Sequence, residues 1–455
     1  MATKLTIIIV GAGLSGLSAS IQCALSGHEV IVLEAAKELA EIGAGLQLTP
    51  NATRLLTSWG VYDLLPDPCE PSTCTVYDYT GRTLAHETRF GANCRRKYGA
   101  PFADVHRVDL QQALVRRARE VGVRVVLGAR VVGLDLDGCV DEDDSGQGND
   151  GKKKEKRKCA QITTLTNSTY TADLVVAADG LWSTCRSIFL GHIDPPLPTG
   201  DLAYRIVLRA DQIVDEDLRD MVRTPGLRFW IGEDAHVVAY SLRGGDLLNV
   251  VLLVPDDLGE GVSKGVGDLG EMRKRFEGWD GVLTRLLHQV PTVTKWKLMH
   301  RPPLPTWLSR SSNLVLIGDA CHPMLPYLAQ GANSSIEDGA VLGLLLSPSS
   351  NPGFRSGDDL PDALALFERL RKERGERIAR ETWGQRRDFH LGDAERGERD
   401  SVFAAWLGRS EELENGGLGR GVGFPSRWTC PVAQRWLFGY DAVEEVRVAV
   451  GGGEK

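Results

Sequence analysis

The chain has 455 residues, of which 42% are hydrophobic and 25% are charged, and its formal net charge is −8. This length exceeds one ordinary domain and predicts two or three domains that share a large core. The negative charge excludes a surface that neutralises many nucleic-acid phosphates, and no apolar run reaches the roughly 18 residues of a membrane span. Nine scattered cysteines, with neither C-x-x-C nor a zinc-type His/Cys cluster, predict no metal site and a reducing, cytoplasmic location.

The N-terminal stretch predicts a strand, a glycine turn, a helix and a second strand. The apolar run Leu5–Val10 is typical of a parallel strand that is buried on both faces. In the G-x-G-x-x-G that follows, Gly11 allows the turn, Gly13 lets a pyrophosphate approach the backbone, and Gly16 lets the helix pack on its strand. Glu34 ends the second strand, where its carboxylate can accept both ribose hydroxyls of an adenosine and disfavours a 2′-phosphate. The unit predicts a dinucleotide site and leaves FAD and NAD as alternatives.

Two later apolar runs also end in turns that can hold a ligand. The run 173–180 predicts a buried parallel strand that ends at Asp179. The run 314–317 predicts a third strand, followed by Asp319 and then by a helix over 334–346, whose N-terminus would favour an anion. Asp319 alone could be a turn-forming aspartate. Three buried strands with such turns nevertheless predict one shared site at the edge of a sheet.

The segments between these strands predict a second sheet and two contacts to the site. Within 203–254, β-branched and aromatic runs alternate with short turns, which predicts an antiparallel sheet that forms the wall of a substrate cavity. The glycines around Gly45 mark either a close approach of the backbone to another group or an ordinary loop. A helix is predicted to begin at the N-cap Asp109. Arg107, just before it, is either a surface charge or a phosphate contact.

Two stretches are dominated by charge. Residues 141–158 hold six acidic and six basic residues and almost nothing apolar, so they predict a flexible insertion between two strands. A basic targeting signal at 152–158 is the alternative. Beyond Asp362, charges at i,i+4 spacing predict a long solvent-lined helix. The aromatic residues of 436–440 predict that the C-terminus docks onto the body of the protein.

In this order the motifs resemble the fingerprints of the class A flavoprotein monooxygenases. The matching motifs are GAGLSG with Glu34, Arg107, Asp179-Gly180, Gly318-Asp319 with Pro323, and Gln330-Gly331-Ala332. Three further segments are similar in sequence to the fungal salicylate hydroxylase-like branch of the para-hydroxybenzoate hydroxylase family, namely GAGLQLTPNATRLL, HVVAYSLRGGDLLN and WLFGYDA. The resemblance covers about residues 4–346.

The resemblance and the element pattern together imply an α/β fold. We expect a Rossmann-like FAD-binding domain with a parallel sheet from 1–75, 100–190 and 300–360. An antiparallel-sheet substrate domain is expected from 76–99 and 191–299, and a C-terminal helical region from 361–455.

The resemblance also implies the residues that bind one non-covalent FAD. These are Gly11, Gly13, Gly16, Glu34, Gly45, Arg107, Asp179, Asp319, Gly331 and Ala332. Asp319 would bond the ribityl chain, and Gly331 and Ala332 would present backbone N–H groups to the pyrimidine edge of the flavin. Asp179 is linked in the family to both FAD and NAD(P)H.

The implied reaction is the reduction of FAD by NADPH or NADH, addition of O₂ to give a flavin hydroperoxide, and hydroxylation of a phenolic or related aromatic or polyketide substrate. We expect Arg205 and Tyr240 to activate the phenol, because a fixed guanidinium lowers the pKa of the phenol. The alternatives are a surface charge for Arg205 and a core aromatic for Tyr240.

Two other functions are compatible with the fold, and the oligomeric state stays open. One is a flavin oxidase or dehydrogenase. The other is a binding protein of the kind that escorts lipidated GTPases, which the presence of Arg107 and Asp319 disfavours.

Overall fold

The structure of the chain is a computed structural model that describes residues 4–39, 44–140, 157–409, 412–413 and 423–451. Its strands are β1 (Thr6–Val10), β2 (Glu29–Leu33), β3 (Gly45–Leu48), β4 (Cys74–Asp78), β5 (Thr83–Glu87), β6 (Ala103–His106), β7 (Arg124–Val126), β8 (Val131–Val140), β9 (Arg157–Thr164), β10 (Thr169–Ala172), β11 (Leu174–Ala177), β12 (Leu197–Arg209), β13 (Leu227–Gly232), β14 (Ala235–Leu242), β15 (Leu247–Pro255), β16 (Lys264–Val266), β17 (Thr294–His300) and β18 (Leu314–Leu316). Its helices are α1 (Leu14–Leu25), α2 (Pro50–Ser58), α3 (Phe90–Tyr98), α4 (Arg107–Glu120), α5 (Thr184–Leu190), α6 (Glu216–Arg223), α7 (Leu269–Arg275), α8 (Gly281–His288), α9 (Gln330–Leu345), α10 (Leu360–Phe389), α11 (Asp393–Trp406), α12 (Pro431–Phe438) and α13 (Ala442–Gly451).

A five-stranded parallel sheet forms the centre of the nucleotide-binding part. Its strand order is β18-β11-β1-β2-β7. The strands β11 and β18 are buried along their whole length, as expected for the continuous apolar runs of a parallel sheet. Because β1, β11 and β18 are adjacent and parallel, the turns that follow them meet at one sheet edge. The predicted Rossmann-like fold is thereby confirmed.

An eight-stranded sheet, in the order β16-β17-β12-β15-β14-β13-β4-β5, forms the second layer. Within the described residues its strand pairs are antiparallel except for β4 and β13, which run parallel. Alternate side chains such as Tyr204, Trp230 and Val250 pack with residues of α6, α7 and α8 in one core. The intervening residues face the opposite side, where Phe229, Ile231 and Tyr240 pack with residues of α10, α11 and α12.

The long helix α9 joins the parallel-sheet layer to the C-terminal helices. A Cβ atom at Gly339 would lie 2.4 Å from the backbone N of Ala19, and one at Gly343 would lie 2.5 Å from Cγ of Gln22. These glycines therefore let α9 pack closely on α1. The opposite side of α9 contacts α10 and α13.

The helix α10 corrects the expectation of a solvent-lined helix. Arg371 is fully buried and donates to Asp338 on α9, and Arg374 is buried against Glu337 on the same helix. Charged residues were expected in water, but here they are ion-paired inside the protein. The aromatic C-terminus docks as expected, because Leu437 and Phe438 are buried.

The predicted insertion at 141–158 lies outside the described residues, except for Arg157 and Lys158 in β9. Within the described ranges, no helix is both long and apolar enough to cross a bilayer. In the same ranges, no group of three or more His, Cys, Asp or Glu side chains is placed to hold a metal ion.

Candidate active site

The glycine turn after β1 has the local geometry that its motif predicts. Gly11 has a φ of +105°, which disfavours any residue with a side chain, and its N–H donates to the carbonyl of Leu33 over 2.8 Å. A Cβ atom at Gly16 would lie 2.0 Å from the carbonyl oxygen of Gly11. A Cβ atom at Gly13 would meet nothing within 4 Å. The turn therefore leaves open space beside Gly13, where a phosphate can approach the backbone.

The Glu34 side chain stabilises this turn by hydrogen bonds. Its Oε2 accepts from the N–H of Ala12 and its Oε1 from the N–H of Ala36, each over 2.8 Å. A carboxylate has about four acceptor positions. Capacity therefore remains for the ribose hydroxyls that the sequence assigns to Glu34.

Asp179 has a structural contact that the sequence did not reveal. Its carboxylate accepts from the Ser183 hydroxyl over 2.5 Å and from the N–H of Cys185 over 2.9 Å, at the first turn of α5. Its neighbour Gly180 has a φ of +74° and lines the central cavity. Asp179 thus orients the start of α5, while Gly180 faces the site.

Asp319, after β18, lines the same cavity. The side chain is accessible from the cavity and makes no hydrogen bond within the part of the chain that the structure describes. Burial raises the pKa of Asp319, and the nearby charges of His322 and Arg107 oppose that rise. Such a carboxylate is available to accept hydrogen bonds from a ligand.

The helix α9 begins at Gln330, so the start predicted at 334 was wrong. Ala329 precedes it with a φ of +49° and provides no side-chain cap. The N–H groups of Gly331 and Ala332 lie in the first turn and so lack intrahelical acceptors. Both residues line the cavity, and a Cβ atom at Gly331 would meet nothing within 4 Å. The Asn333 side chain accepts from the N–H of Thr49 over 3.0 Å.

Arg107 is the first residue of α4, whose N-cap is His106 rather than the predicted Asp109. Asp109 lies in the first turn and pairs with Arg243 over 2.7 Å. The Arg107 side chain is exposed to the cavity and has no ion pair with a described carboxylate within 4 Å. It is thus free to neutralise a bound anion.

Gly45 joins the nucleotide side to the eight-stranded sheet. A Cβ atom there would lie 2.5 Å from the Tyr240 ring and 2.8 Å from the Asn249 side chain. Its N–H donates to Oδ1 of Asn249 over 2.8 Å. The close approach expected of this glycine is therefore an approach to β14 and β15.

Arg205 and Tyr240 both line the cavity, as predicted. The Arg205 guanidinium lies 4.7 Å from the centre of the Trp296 ring and has no described carboxylate within ion-pair distance. Burial lowers the pKa of Arg205, and repulsion from Arg107 adds to this decrease. The group nevertheless stays cationic, because guanidinium does not deprotonate in proteins. Burial likewise raises the pKa of Tyr240, so that its phenol is neutral at pH 7.

The cavity has a volume of about 290 Å³. Of the predicted residues it brings together Gly13, Gly45, Arg107, Arg205, Tyr240, Asp319, Gly331 and Ala332. The other four, Gly11, Gly16, Glu34 and Asp179, are outside its wall. Glycine backbone with open space fits an elongated anionic dinucleotide such as FAD. So do an arginine and a carboxylate that, within the described part of the chain, have no acid partner and no hydrogen bond respectively.

Several wall residues were missed from the sequence. Phe229, His236 and Val238 lie on the cavity face of the sheet, and the period-2 pattern of β14 could have placed the last two beside Tyr240. Tyr327 and Trp428 also line the cavity. No sequence pattern placed Trp428 there; its indole N–H donates to the carbonyl of Tyr327 over 3.0 Å.

Comparisons with known proteins agree with this geometry. The model of the FAD binding domain family matches residues 4–380. The chain is 45% identical over 451 residues to the FAD-dependent monooxygenase OpS4 of Beauveria bassiana (strain ARSEF 2860), covering 98% of this chain and 97% of that protein. It is 31% identical over 418 residues to the 3-hydroxybenzoate 6-hydroxylase of Klebsiella oxytoca, covering 90% and 94%.

Solved structures show the same fold. The salicylate hydroxylase substrate complex superposes with a TM-score of 0.72 at 21% identity and covers 98% of both chains. The matching family model, the relatives along nearly the whole chain and the shared fold lead to one conclusion. The chain belongs to the FAD binding domain family and is an FAD-dependent monooxygenase of the class A flavoproteins.

Proposed function

We propose that this enzyme hydroxylates a phenolic or related aromatic or polyketide substrate, with NADPH or NADH as reductant and O₂ as oxygen source. The observation that carries the proposal is the cavity of about 290 Å³. Its wall holds six of the predicted FAD residues, namely Gly13, Gly45, Arg107, Asp319, Gly331 and Ala332, together with Arg205 and Tyr240. The similarity to a 3-hydroxybenzoate 6-hydroxylase supports an aromatic substrate.

Arg205 is the residue that we propose for activating the phenol. It has no described acid partner, and the ring of Trp296 lies beside its guanidinium. A cation in this position stabilises a phenolate more than a phenol, so it lowers the pKa of the substrate hydroxyl. Tyr240 stays neutral and can donate a hydrogen bond to the same oxygen.

Apolar side chains form much of the remaining cavity wall. Val238, Val251 and Leu253 project from the sheet, and Phe229 and Trp428 complete the wall. Such a lining excludes water from the reacting atoms. Gly13, Arg107, Asp319, Gly331 and Ala332 would hold FAD beside this lining, and the bound flavin would supply the redox chemistry between NAD(P)H and O₂.

The test is NAD(P)H oxidation by the purified, FAD-loaded protein against a panel of phenols, with peroxide measured alongside. The proposal predicts that at least one phenol stimulates NAD(P)H oxidation and is recovered with one added oxygen. A flavin oxidase or dehydrogenase would instead oxidise its substrate without adding oxygen. If every phenol yields only peroxide, in an amount equal to the NAD(P)H consumed, the proposal fails.

We also propose a cytoplasmic location. Seven cysteine side chains are buried free thiols, those of Cys23, Cys69, Cys74, Cys94, Cys185, Cys321 and Cys430. Burial raises the pKa of Cys23 to about 12, and burial together with the charge of Asp104 raises that of Cys69 to about 11. Unpaired thiols in this number are typical of a reducing compartment. A fluorescent fusion that follows the secretory pathway would contradict the proposal.

A further inference from the structure

Two buried histidines contact each other beside the cavity. His236, on β14, lines the cavity, and His390 is the C-cap residue of α10. Nδ1 of His236 lies 2.7 Å from Nε2 of His390. The C-terminal end of α10 thus reaches a residue of the substrate-facing sheet.

Both imidazoles are neutral at pH 7. Burial lowers the pKa of His236 well below its usual value, and the neighbouring His390 and Arg386 add to this effect. Burial also lowers the pKa of His390 to about 4. One neutral ring must therefore donate the shared hydrogen bond and the other must accept it.

The surroundings of His390 indicate which ring donates. Its Nδ1 is buried and has no hydrogen-bond partner among the described residues. The rings of Tyr327 and His236 lie 5.9 and 5.0 Å from the His390 ring, between centres. A buried N–H without a partner is rarer in proteins than an acceptor without one. The proton of His390 therefore belongs on Nε2, where it is donated to Nδ1 of His236.

The consequence lies at the cavity. A neutral His236 that accepts at Nδ1 carries its own proton on Nε2. This Nε2 has no hydrogen-bond partner among the described residues. Unlike Nδ1 of His390, it is not fully enclosed by protein atoms. The atom is therefore accessible, and the accessible space beside this residue is the cavity.

We propose that His390 is a positioning residue that fixes His236 as the Nε2–H tautomer, so that His236 donates a hydrogen bond to a substrate oxygen. This inference rests on the proposed function and deepens it. Arg205, Tyr240 and His236 then present donors from one face of the sheet. Such a face suits a substrate with at least two acceptor oxygens, such as a phenolate beside a carbonyl or carboxylate.

The direct test is the ¹⁵N NMR spectrum of the FAD-loaded protein labelled at its nine histidines. His28 provides an internal reference, because its Nδ1 accepts from the N–H of Leu5 and its Nε2 can only donate to the carbonyl of Leu346. Loss of a signal pair in His236→Gln assigns His236. We expect the His236 signals to match the tautomer of His28. A protonated Nδ1 on His236 would overturn the proposal, whether or not any phenol is oxidised.

Two substitutions test the role of His390 itself. His390→Gln can still donate through its amide, whereas His390→Phe keeps a ring but cannot donate. With a phenol that the enzyme oxidises, His390→Phe should raise KM by roughly 2- to 10-fold, the range expected for one hydrogen bond, at unchanged FAD content. His390→Gln should stay closer to wild type. Equal KM changes in both variants would show a packing role and contradict the proposal. A correct tautomer without phenol oxidation would instead refute the proposed function alone.

Discussion

Gly13 and Gly16 occupy the same turn, but their surroundings predict opposite effects of an added methyl group. At Gly16 a Cβ atom would lie 2.0 Å from the carbonyl oxygen of Gly11, so Gly16→Ala should destabilise the apoprotein by about 1–3 kcal/mol or more. At Gly13 a Cβ atom meets nothing within 4 Å. Gly13→Ala should therefore keep the apoprotein stable and weaken FAD binding. Urea unfolding of both apoproteins and FAD titration test this, and equal losses of stability would contradict it.

Asp319 is the residue whose removal should affect FAD and little else. It makes no hydrogen bond within the described residues, so Asp319→Ala removes no protein contact of that kind. Hydrogen bonds to a charged group contribute about 1.5–3 kcal/mol each. We expect FAD binding to weaken by roughly 10- to 100-fold while the circular dichroism spectrum stays unchanged. Undiminished flavin content in Asp319→Ala would count against the assigned site.

Arg205 and Tyr240 should control the pH dependence of turnover. Without the Arg205 cation the pKa of the bound phenol is no longer lowered, so in Arg205→Ala the rise of kcat should shift to higher pH. Tyr240→Phe should lower kcat/KM by removing one hydrogen bond. Arg209→Ala is a matched control, because Arg209 is on the same strand but is exposed and paired with Asp211. Unchanged profiles at full FAD occupancy would show that another residue activates the substrate.

At the scale of elements, apolar patterning predicted the strands well. The continuous runs of β1, β11 and β18 indicated parallel strands, and the alternation in β12 to β15 indicated an antiparallel sheet. Helix starts were predicted less well, because the predictions relied on capping side chains and a helix can begin without one. The helix α9 begins after Ala329, whose left-handed backbone replaces a side-chain cap. This conformation cannot be read from an alanine in the sequence.

The buried ion pairs between α9 and α10 were also missed. Helical spacing of charges indicates which residues share a face, but not whether that face meets water or an oppositely charged helix. Here Glu337 and Asp338 supply the opposite charges, fully buried. The long polar helix is therefore part of the core that supports the turn at Gly318, whose N–H donates to Asp338 over 2.9 Å.

This cluster predicts a pH-dependent contribution to stability. Burial alone raises the pKa of Asp338, but attraction to His322 and Arg371 outweighs it and lowers the pKa from 3.8 to about 2. A carboxyl with a lowered pKa in the folded state stabilises the fold above its unfolded pKa and loses this effect as pH falls towards 2. Asp338→Asn should therefore lower the free energy of unfolding at pH 7, by about 3–5 kcal/mol, and by less near pH 2.5.

Urea unfolding of the apoprotein at both pH values measures this difference. The control is Asp362→Asn, because Asp362 is exposed on α10. An equal gap between Asp338→Asn and wild type at pH 7 and pH 2.5 would contradict the assigned role of the ion pairs.

At the scale of the molecule, the cavity is assembled from distant parts of the chain. The glycine turns contribute the nucleotide side, the eight-stranded sheet contributes Arg205 and Tyr240, and the C-terminal segment contributes Trp428. The fingerprints indicated the first part. For the second, the strand pattern predicted the sheet, and the resemblance to fungal phenol hydroxylases indicated Arg205 and Tyr240. The third could not be predicted, because tertiary docking alone brings Trp428 to the cavity. The domain division stays a prediction. It gives an FAD-binding domain from 1–75, 100–190 and 300–360, a substrate domain from 76–99 and 191–299, and a C-terminal helical region from 361–455.

The fate of molecular oxygen tests the central claim most directly. The FAD-loaded enzyme is supplied with ¹⁸O₂, NADPH or NADH, and the phenol that most stimulates nucleotide oxidation, and the product is analysed by mass spectrometry. A monooxygenase with this site predicts one ¹⁸O atom in the product for each NAD(P)H consumed, after subtraction of the peroxide formed. A product without ¹⁸O, together with peroxide equal to all the NAD(P)H consumed, would contradict the account.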